Sequence, residues 1–214
     1  ARRENIGMAA LIDTSRLLRA PTCNDLGFAL GPRVNAGGRV GESTLGVRLL
    51  TTQDVDEART IAAQLSALNE ERREIEAVVL EAAETQIDRQ HNRAVMVLAG
   101  AGWHPGVIGI VAGRIKEKTG KPTLVIALDA DEHGNGKGSG RSISGVDLGA
   151  AIIAAREAGL LVAGGGHAMA AGLTITPECL SPLADWLDER LARDVMAAME
   201  NQSLAIDLTL TPRG

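Results

Sequence analysis

The sequence predicts an α/β fold: a mixed or mostly parallel sheet flanked by helices, preceded by a long connecting helix and a helical N-terminal segment. Three observations carry that expectation. From Asp54 to Gln90 there is neither Gly nor Pro, so nothing interrupts a helix there. After residue 93, short apolar runs alternate with helical patterns, the order that places helices on the faces of a sheet. And 17 of the 25 glycines fall between Gly100 and Gly172, far above the usual level of about 7%. Backbone geometry therefore matters in that region.

The elements follow in order. Residues 4–19 read as a helix, with Ile6, Ala9, Ala10, Leu17 and Leu18 near helical spacing and Pro21 ending it. Leu26 to Gly41 reads as a loop-rich segment carrying Arg33 and Arg39, and Ser43 to Leu50 as a short helix. Asp54 is an N-cap, with Glu57 three residues on as in a capping box. Val55, Ala58, Ile61, Ala62, Leu65 and Leu68 mark one helical face. Ile75, Val78, Val79, Ala82 and Ala83 mark it again beyond a charged middle, Glu70 to Glu76. As one helix this stretch is a strut of about 55 Å between two packed bodies; two helices broken near Asn69 are the alternative.

Ala94 to Ala99 and Thr123 to Leu128 read as buried strands, with a helix from Pro105 to Lys118 between them and Gly120 as its cap. Asp129 to Gly136 is a turn, and Lys137 to Ile143 a polar, Gly-rich strand. Asp147 caps a helix to Ala158, Gly164 to Gly166 is a triple-glycine loop, and Ala171 to Ile175 is a strand. Pro177 to Met199 is an amphipathic helix, and Ser203 to Leu210 a strand opening another domain.

With 214 residues, the chain has room for one domain plus an appendage or two small ones. No run approaches the roughly 18 apolar residues of a membrane span, and no secretory signal opens the sequence. Two cysteines make neither a disulfide framework nor a cysteine-rich zinc site. A reducing, cytoplasmic setting is expected. The net charge of −5 excludes a module that grips nucleic acid by bulk charge alone, leaving room for a local patch. Phe28, Trp103 and Trp186 are the only aromatic residues, too few for a base-stacking platform. The chain opens at Ala1 within a helical pattern and is read as a piece of a longer protein.

Four segments carry candidate chemistry. Gly100 to Gly109 holds His104 and Trp103 in a strand-to-helix turn, where α/β folds bind anions. It matches neither a dinucleotide fingerprint nor a Walker A loop. In Gly136 to Ser142, Ser139 and Arg141 are two residues apart and point to one face of a strand. A hydroxyl beside a guanidinium suits a phosphate. Gly164, Gly165 and Gly166 precede His167, leaving room around an imidazole suited to bind an anion or move a proton. Gly31 to Arg39 offers Arg33, Asn35 and Arg39 to phosphates or to helix ends. Against these stand bland readings: a packed turn, a solvated hairpin edge, a structural histidine. His91 and His133 lie in polar surroundings, and Asp129, Asp131 and Glu132 form a solvated turn. No HExxH, CxxC or Asp/His cluster is present, so no metal site is expected in these residues.

Together the segments GPRVNAGGR, LNEERREIE, GWHPGVIGIVAGRI, GSGRS and GGGHAMAAG, in this order, resemble the RecJ-type single-strand-specific exonucleases of the DHH phosphoesterase superfamily. The resemblance covers nearly the whole chain. It implies residues 1–53 as the tail of a DHH domain, 54–92 as the connecting helix, 93–201 as the DHH-associated domain and 202–214 as the start of an oligonucleotide-binding barrel. The Asp/His motifs that hold two Mn²⁺ or Mg²⁺ in that family are missing from this sequence. The implied activity is 5′-to-3′ hydrolysis of single-stranded DNA in repair and recombination, by a two-metal mechanism. In this picture Ser139 and Arg141, with Ser142 and the glycines, hold the 5′ phosphate or the adjacent backbone. Arg33, Asn35 and Arg39 bind phosphates on the other wall. His167 contacts the scissile phosphate, and His104 supports the pocket. The fragment alone is expected to be inactive. Rival classes are a non-catalytic RNA- or tRNA-binding module, a small-nucleotide phosphodiesterase, and a nucleotide-binding oxidoreductase, the last weakened by the missing fingerprint.

Overall fold

The computed structural model describes residues 4–17, 19–129 and 134–201. The expected strand at Ser203 to Leu210 and residues Asp131, Glu132 and His133 lie outside the described residues. So does Leu18.

Among the described residues the elements of the N-terminal body are all helical. Helix α1 (Ile6–Thr14) is capped by Asn5, whose side chain accepts from Met8 N. It stops short of Pro21, because Arg16 adopts a positive φ of 55°. The segment expected as a loop is instead helical: a short α2 (Cys23–Asp25), a π-helical turn at Leu26–Leu30 and α3 (Gly31–Val40). Glycine in a helix costs about 1 kcal/mol relative to Ala, which is why the pattern reads as loop. Packing overrides that penalty. A Cβ on Gly37 would sit 2.8 Å from Glu42 O and 3.2 Å from Leu65 Cδ2, so only glycine lets α3 lie this close to its neighbours. Helix α4 (Leu45–Thr51) follows. Leu11, Leu30, Leu45 and Leu49 close a core against Ala58, Ile61 and Leu65 of α5.

The turn into α2 is held by charge. Asp25 accepts from Arg19 Nη1 at 2.5 Å and Nη2 at 3.0 Å, and from Thr22 N and Oγ1 at 2.7 Å each. These hydrogen bonds, the one from Arg19 first, hold its carboxyl far below the usual 3.8. A lowered folded-state value contributes stability above the unfolded value and loses it as pH falls below that value. Wild-type chain is therefore expected to lose more stability than Asp25→Asn between about pH 5 and pH 2, in thermal melts followed by circular dichroism. Parallel pH profiles would refute the assignment.

Helix α5 (Val55–Glu84) is a single 30-residue helix, about 45 Å long at 1.5 Å per residue. Asp54 caps it by accepting from Asp56 N and Glu57 N. Glu57 does not return the capping-box bond; its carboxylate accepts from Arg48 and Thr52. The helix ends six residues before Gln90, where turns and a 3-10 turn at Asp88–Gln90 take over. It joins two bodies as expected, but its charged middle is not a solvated strut: Asn69, Arg72 and Glu76 are buried.

Beyond it the described residues form a five-stranded sheet in the order β1-β2-β3-β5-β4. The strands are β1 (Met96–Ala101), β2 (Thr123–Leu128), β3 (Gly136–Arg141), β4 (Ala163–His167) and β5 (Ala170–Ile175). Only β1 and β2 pair in parallel; the other three pairings are antiparallel. The sheet is thus mixed, not mostly parallel. The reason is the short connections: seven residues join β2 to β3 and two join β4 to β5, too few for the crossover that parallel neighbours require. The triple glycine expected as a loop lies inside β4.

Strands β1 and β2 are apolar on both faces because both are covered. Met96, Leu98, Val125 and Ala127 face the end of α5 and α6 (Pro105–Thr119), while Val97, Leu124 and Ile126 face α7 (Leu148–Glu157) and α8 (Leu180–Glu200). Helix α6 is capped by His104 and ends at Gly120 with φ +68°. Asp147 caps α7 through Ala150 N. Among the described residues no helix is long and apolar enough to cross a membrane.

Candidate nucleic-acid interface

Alternation along β3 builds the site. Gly136, Gly138 and Gly140 turn to the packed side, where a Cβ on Gly138 would lie 2.6 Å from Leu173 Cδ1. Lys137, Ser139 and Arg141 turn to the other side. Across β5 and β4 the same face continues in register. Ser139 stands opposite Gly172 and Gly172 opposite Gly165; Arg141 stands opposite Ala170 and Ala170 opposite His167. Helix α6 covers this face over β2 and part of β3, and the end of α5 covers it over β1. Beyond it the floor is open: an added Cβ on Gly165 or Gly172 would meet nothing within 4 Å. A shallow depression of about 250 Å³ lies against Gly165, Gly172 and Thr174. A larger hollow of about 600 Å³ lies elsewhere, between residues 143–145 and the end of α8, with Asp194 as its one charged lining residue. It does not suit an anion.

At the covered edge of the floor is a cationic pocket. Arg141 Nη1 donates to Ser139 Oγ at 3.1 Å and to Gly140 O at 2.7 Å. The backbone of α6 forms the wall: a Cβ on Gly109 would sit 2.9 Å from Arg141 Nη2 and 3.0 Å from Ser139 Oγ. Arg39 comes from α3 and donates from Nη1 to Gly106 O at 3.1 Å. Burial, and then the like charge of Arg39, pull the Arg141 guanidinium below its ordinary value; it stays cationic all the same. Among the described residues neither Arg39 nor Arg141 belongs to an ion pair. Two neighbouring guanidiniums without a carboxylate make a place for an anion.

The two histidines are set in the same way. His104 Nδ1 accepts from Gly106 N at 3.0 Å, and His167 Nδ1 accepts from Met169 N at 3.3 Å. An accepting Nδ1 puts the proton of the neutral ring on Nε2, which then donates outward. His167 is exposed but not loosely placed. Its hairpin is tied by Ser142 N to Met169 O at 2.9 Å and Leu148 N to Ala168 O at 3.2 Å. Two strand spacings separate it from Arg141, about 10 Å between Cα atoms.

The structure does not bring every expected residue here. Arg33 lies about 120° from Arg39 around α3 and is a packing residue, donating to Ala29 O at 2.6 Å and Ser66 Oγ at 3.3 Å. Asn35 is exposed, one turn before Arg39 on the same helical face. Ser142 is 1% exposed, and its hydroxyl donates to Val146 O at 2.8 Å; it holds the turn and faces no ligand. Of the three glycines only Gly165 lies on the open face; Gly164 and Gly166 turn inward, the former against Ile152. Conversely, sequence reasoning does not single out Gly109 as a wall or Gly172 as a floor. Their signal is spacing: Gly109 falls one turn past Pro105, and Gly172 two residues after Ala170. Among the described residues no three His, Cys, Asp or Glu side chains group to hold a metal. The two guanidiniums would moreover repel a divalent cation, so the residues present do not fit one.

The model of the DHHA1 domain matches residues 91–193, the β1–α8 region that builds the sheet. The chain is 41% identical over 198 residues to the single-stranded-DNA-specific exonuclease RecJ of Dickeya dadantii, covering 85% of this chain and 34% of that protein. It is 38% identical over 213 residues to the Haemophilus influenzae protein of the same name, covering 92% and 36%. The crystal structure of RecJ with Mn²⁺ from Thermus thermophilus superposes with a TM-score of 0.76 at 30% identity, over 89% of this chain and 27% of that one. The chain thus spans about a third of the length of the curated relatives it matches. A second structure of the Thermus protein holds Mg²⁺. Residues 91–193 thus match the DHHA1 domain, and most of the chain is similar to a part of the RecJ exonucleases.

Proposed function

We propose that this chain is the substrate-binding half of a single-strand-specific 5′-to-3′ exodeoxyribonuclease of the cytoplasm, acting in DNA repair and recombination. The observation that supports it most is the cationic pocket, with Ser139, Arg141 and Arg39 converging on the backbone of α6 at the edge of an open glycine floor. Ser139 and Arg141 hold the 5′ phosphate, with Arg39 completing the charge. The strand then crosses the floor over Gly172 and Gly165, where the lack of side chains lets a sugar-phosphate backbone lie close. His167 donates from Nε2 to the scissile phosphate one unit further on. His104 fixes the first turn of α6 and so the wall of the pocket. The few aromatic residues leave base stacking to other parts of the enzyme. The Thermus RecJ structures hold Mn²⁺ or Mg²⁺; in a longer form of this chain such a metal would supply a Lewis acid, its ligands lying among residues other than these, in a DHH domain. Residues 1–53 are the tail of that domain, 54–92 the connecting helix and 202–214 the entry to an oligonucleotide-binding barrel.

In a full-length enzyme carrying this chain, His167→Ala is expected to lower exonuclease kcat/KM at least tenfold, about 1.4 kcal/mol, on a 5′-phosphorylated single strand. A rate near wild type would remove His167 from the scissile phosphate. The 214-residue chain by itself is expected to release no nucleotides with Mn²⁺ or Mg²⁺; metal-dependent release would place metal ligands within it.

A further inference from the structure

The cationic cluster is larger than the pocket. Beside Arg39 and Arg141 stand Arg72 and Arg73 of α5 and Arg114 of α6. Burial pulls Arg72 below its ordinary value, as do the like charges of Arg39, Arg73 and Arg114, against the pull of Glu76. The described ion pairs sort these cations into two kinds. Glu76, 2% exposed, takes Arg72 Nη1 on Oε2 and lies 2.5 Å from Arg114 Nη2 through Oε1. Asn69 Oδ1 accepts from Arg72 Nη2 at 3.0 Å. Arg39, Arg141 and the exposed Arg73 have no such partner among the described residues.

A buried carboxylate is a poor device for stability alone, because its desolvation offsets most of what pairing returns. Its effect on the surrounding field is larger. With Glu76 in place, Arg72 and Arg114 together carry one net positive charge instead of two, and both guanidiniums are held on its carboxylate. We propose that Glu76 is a specificity-determining residue: by cancelling one of these charges and holding both guanidiniums, it favours phosphate binding at the Arg39–Ser139–Arg141 pocket. The protein then grips a single strand by its terminal phosphate more than along its length. The inference rests on the reading that this pocket holds a phosphate.

The test measures binding of a short, 3′-labelled oligothymidylate to the full chain over a range of NaCl, with and without a 5′ phosphate. Wild type is expected to prefer the 5′-phosphorylated strand. Glu76→Gln is expected to bind the 5′-hydroxyl strand about fivefold more tightly, narrowing the preference. It also steepens the plot of log K against log salt by about 0.7 for each freed guanidinium that finds a phosphate. Arg114→Gln is expected to change neither slope nor preference, since its guanidinium is held on Glu76 and not on phosphate, whereas Arg141→Gln flattens the slope by about 0.7 and abolishes the preference. A flattened slope for Arg114→Gln overturns the proposal, because Arg114 would then touch phosphate itself. A folded Glu76→Gln with wild-type slope and preference overturns it too. If Glu76→Gln does not fold, Arg114→Gln carries the decision. If Arg141→Gln keeps the preference, the phosphate pocket itself is wrong and this inference falls with it.

Discussion

Arg141→Ala in a full-length enzyme carrying this chain is expected to lower kcat/KM by tenfold to a hundredfold, roughly 1.4 to 2.8 kcal/mol of transition-state binding. The guanidinium is half-buried and braced by Ser139 Oγ and Gly140 O. A charge-assisted contact made there is stronger than the same contact in open water. Arg141→Lys is expected to recover little. An ammonium lacks the planar fork that can bond Ser139, Gly140 O and a phosphate together. The loss is expected mostly in KM if the terminal phosphate only anchors the strand, and in kcat if it also sets the scissile bond against His167. Steady-state rates on 5′-phosphorylated and 5′-hydroxyl strands separate the two. Equal loss on both strands would show that Arg141 does not read the terminal phosphate.

The second large effect needs no substrate. A Cβ on Gly106 would sit 2.1 Å from Arg39 O and 2.9 Å from Arg39 C, and neither backbone atom can turn aside. Gly106→Ala is therefore expected to push α3 off the first turn of α6, destabilising the chain by about 1–3 kcal/mol, as overpacking does. At about 2–4 °C per kcal/mol for a chain of this size, melting falls by several degrees. The same displacement draws Arg39 away from Arg141, so binding of a 5′ phosphate weakens with it. Gly113→Ala, with nothing within 4 Å of its added Cβ, is the control on the same helix. An unchanged melting temperature for Gly106→Ala would mean that α3 and α6 are not in this contact.

The elements that sequence describes well are those whose local and tertiary preferences agree. Helix α6 shows Pro at its start and Gly120 at its end; β2 is a β-branched and apolar run from Thr123 to Leu128; Asp54 and Asp147 cap their helices. Sequence misleads where packing overrides propensity. Glycine marks loops on average, yet in α3 it marks close approach of helices, and in β3 and β4 it makes room for Leu173 and Ile152. The charged run Glu70 to Glu76 reads as solvated, although Asn69, Arg72 and Glu76 recur at helical spacing and turn to one side. Their burial depends on α3 and α6, which arrive from distant parts of the chain. The candidate site follows the same division. Ser139 and Arg141 are legible because strand alternation puts them on one face, whereas His167, expected after a glycine loop, reaches that face as part of β4. Arg33 and Ser142 look equally suitable as letters, and only their partners, Ala29 O and Val146 O, show that they are spent on the fold.

Helix α5 also sets a phase. Ala58, Ile61 and Leu65 belong to one core and Val79 and Ala83 to another, and no break in the helix lies between them. One residue inserted between Leu65 and Arg72 would turn the sheet by about 100° about the helix axis and move it about 1.5 Å along it. Arg39 and Gly106, on opposite sides of that joint, would no longer meet. An insertion of seven would nearly restore the angle while opening a gap of about 10 Å. The helix therefore fixes azimuth as well as distance, and length variation is expected to gather at its two ends.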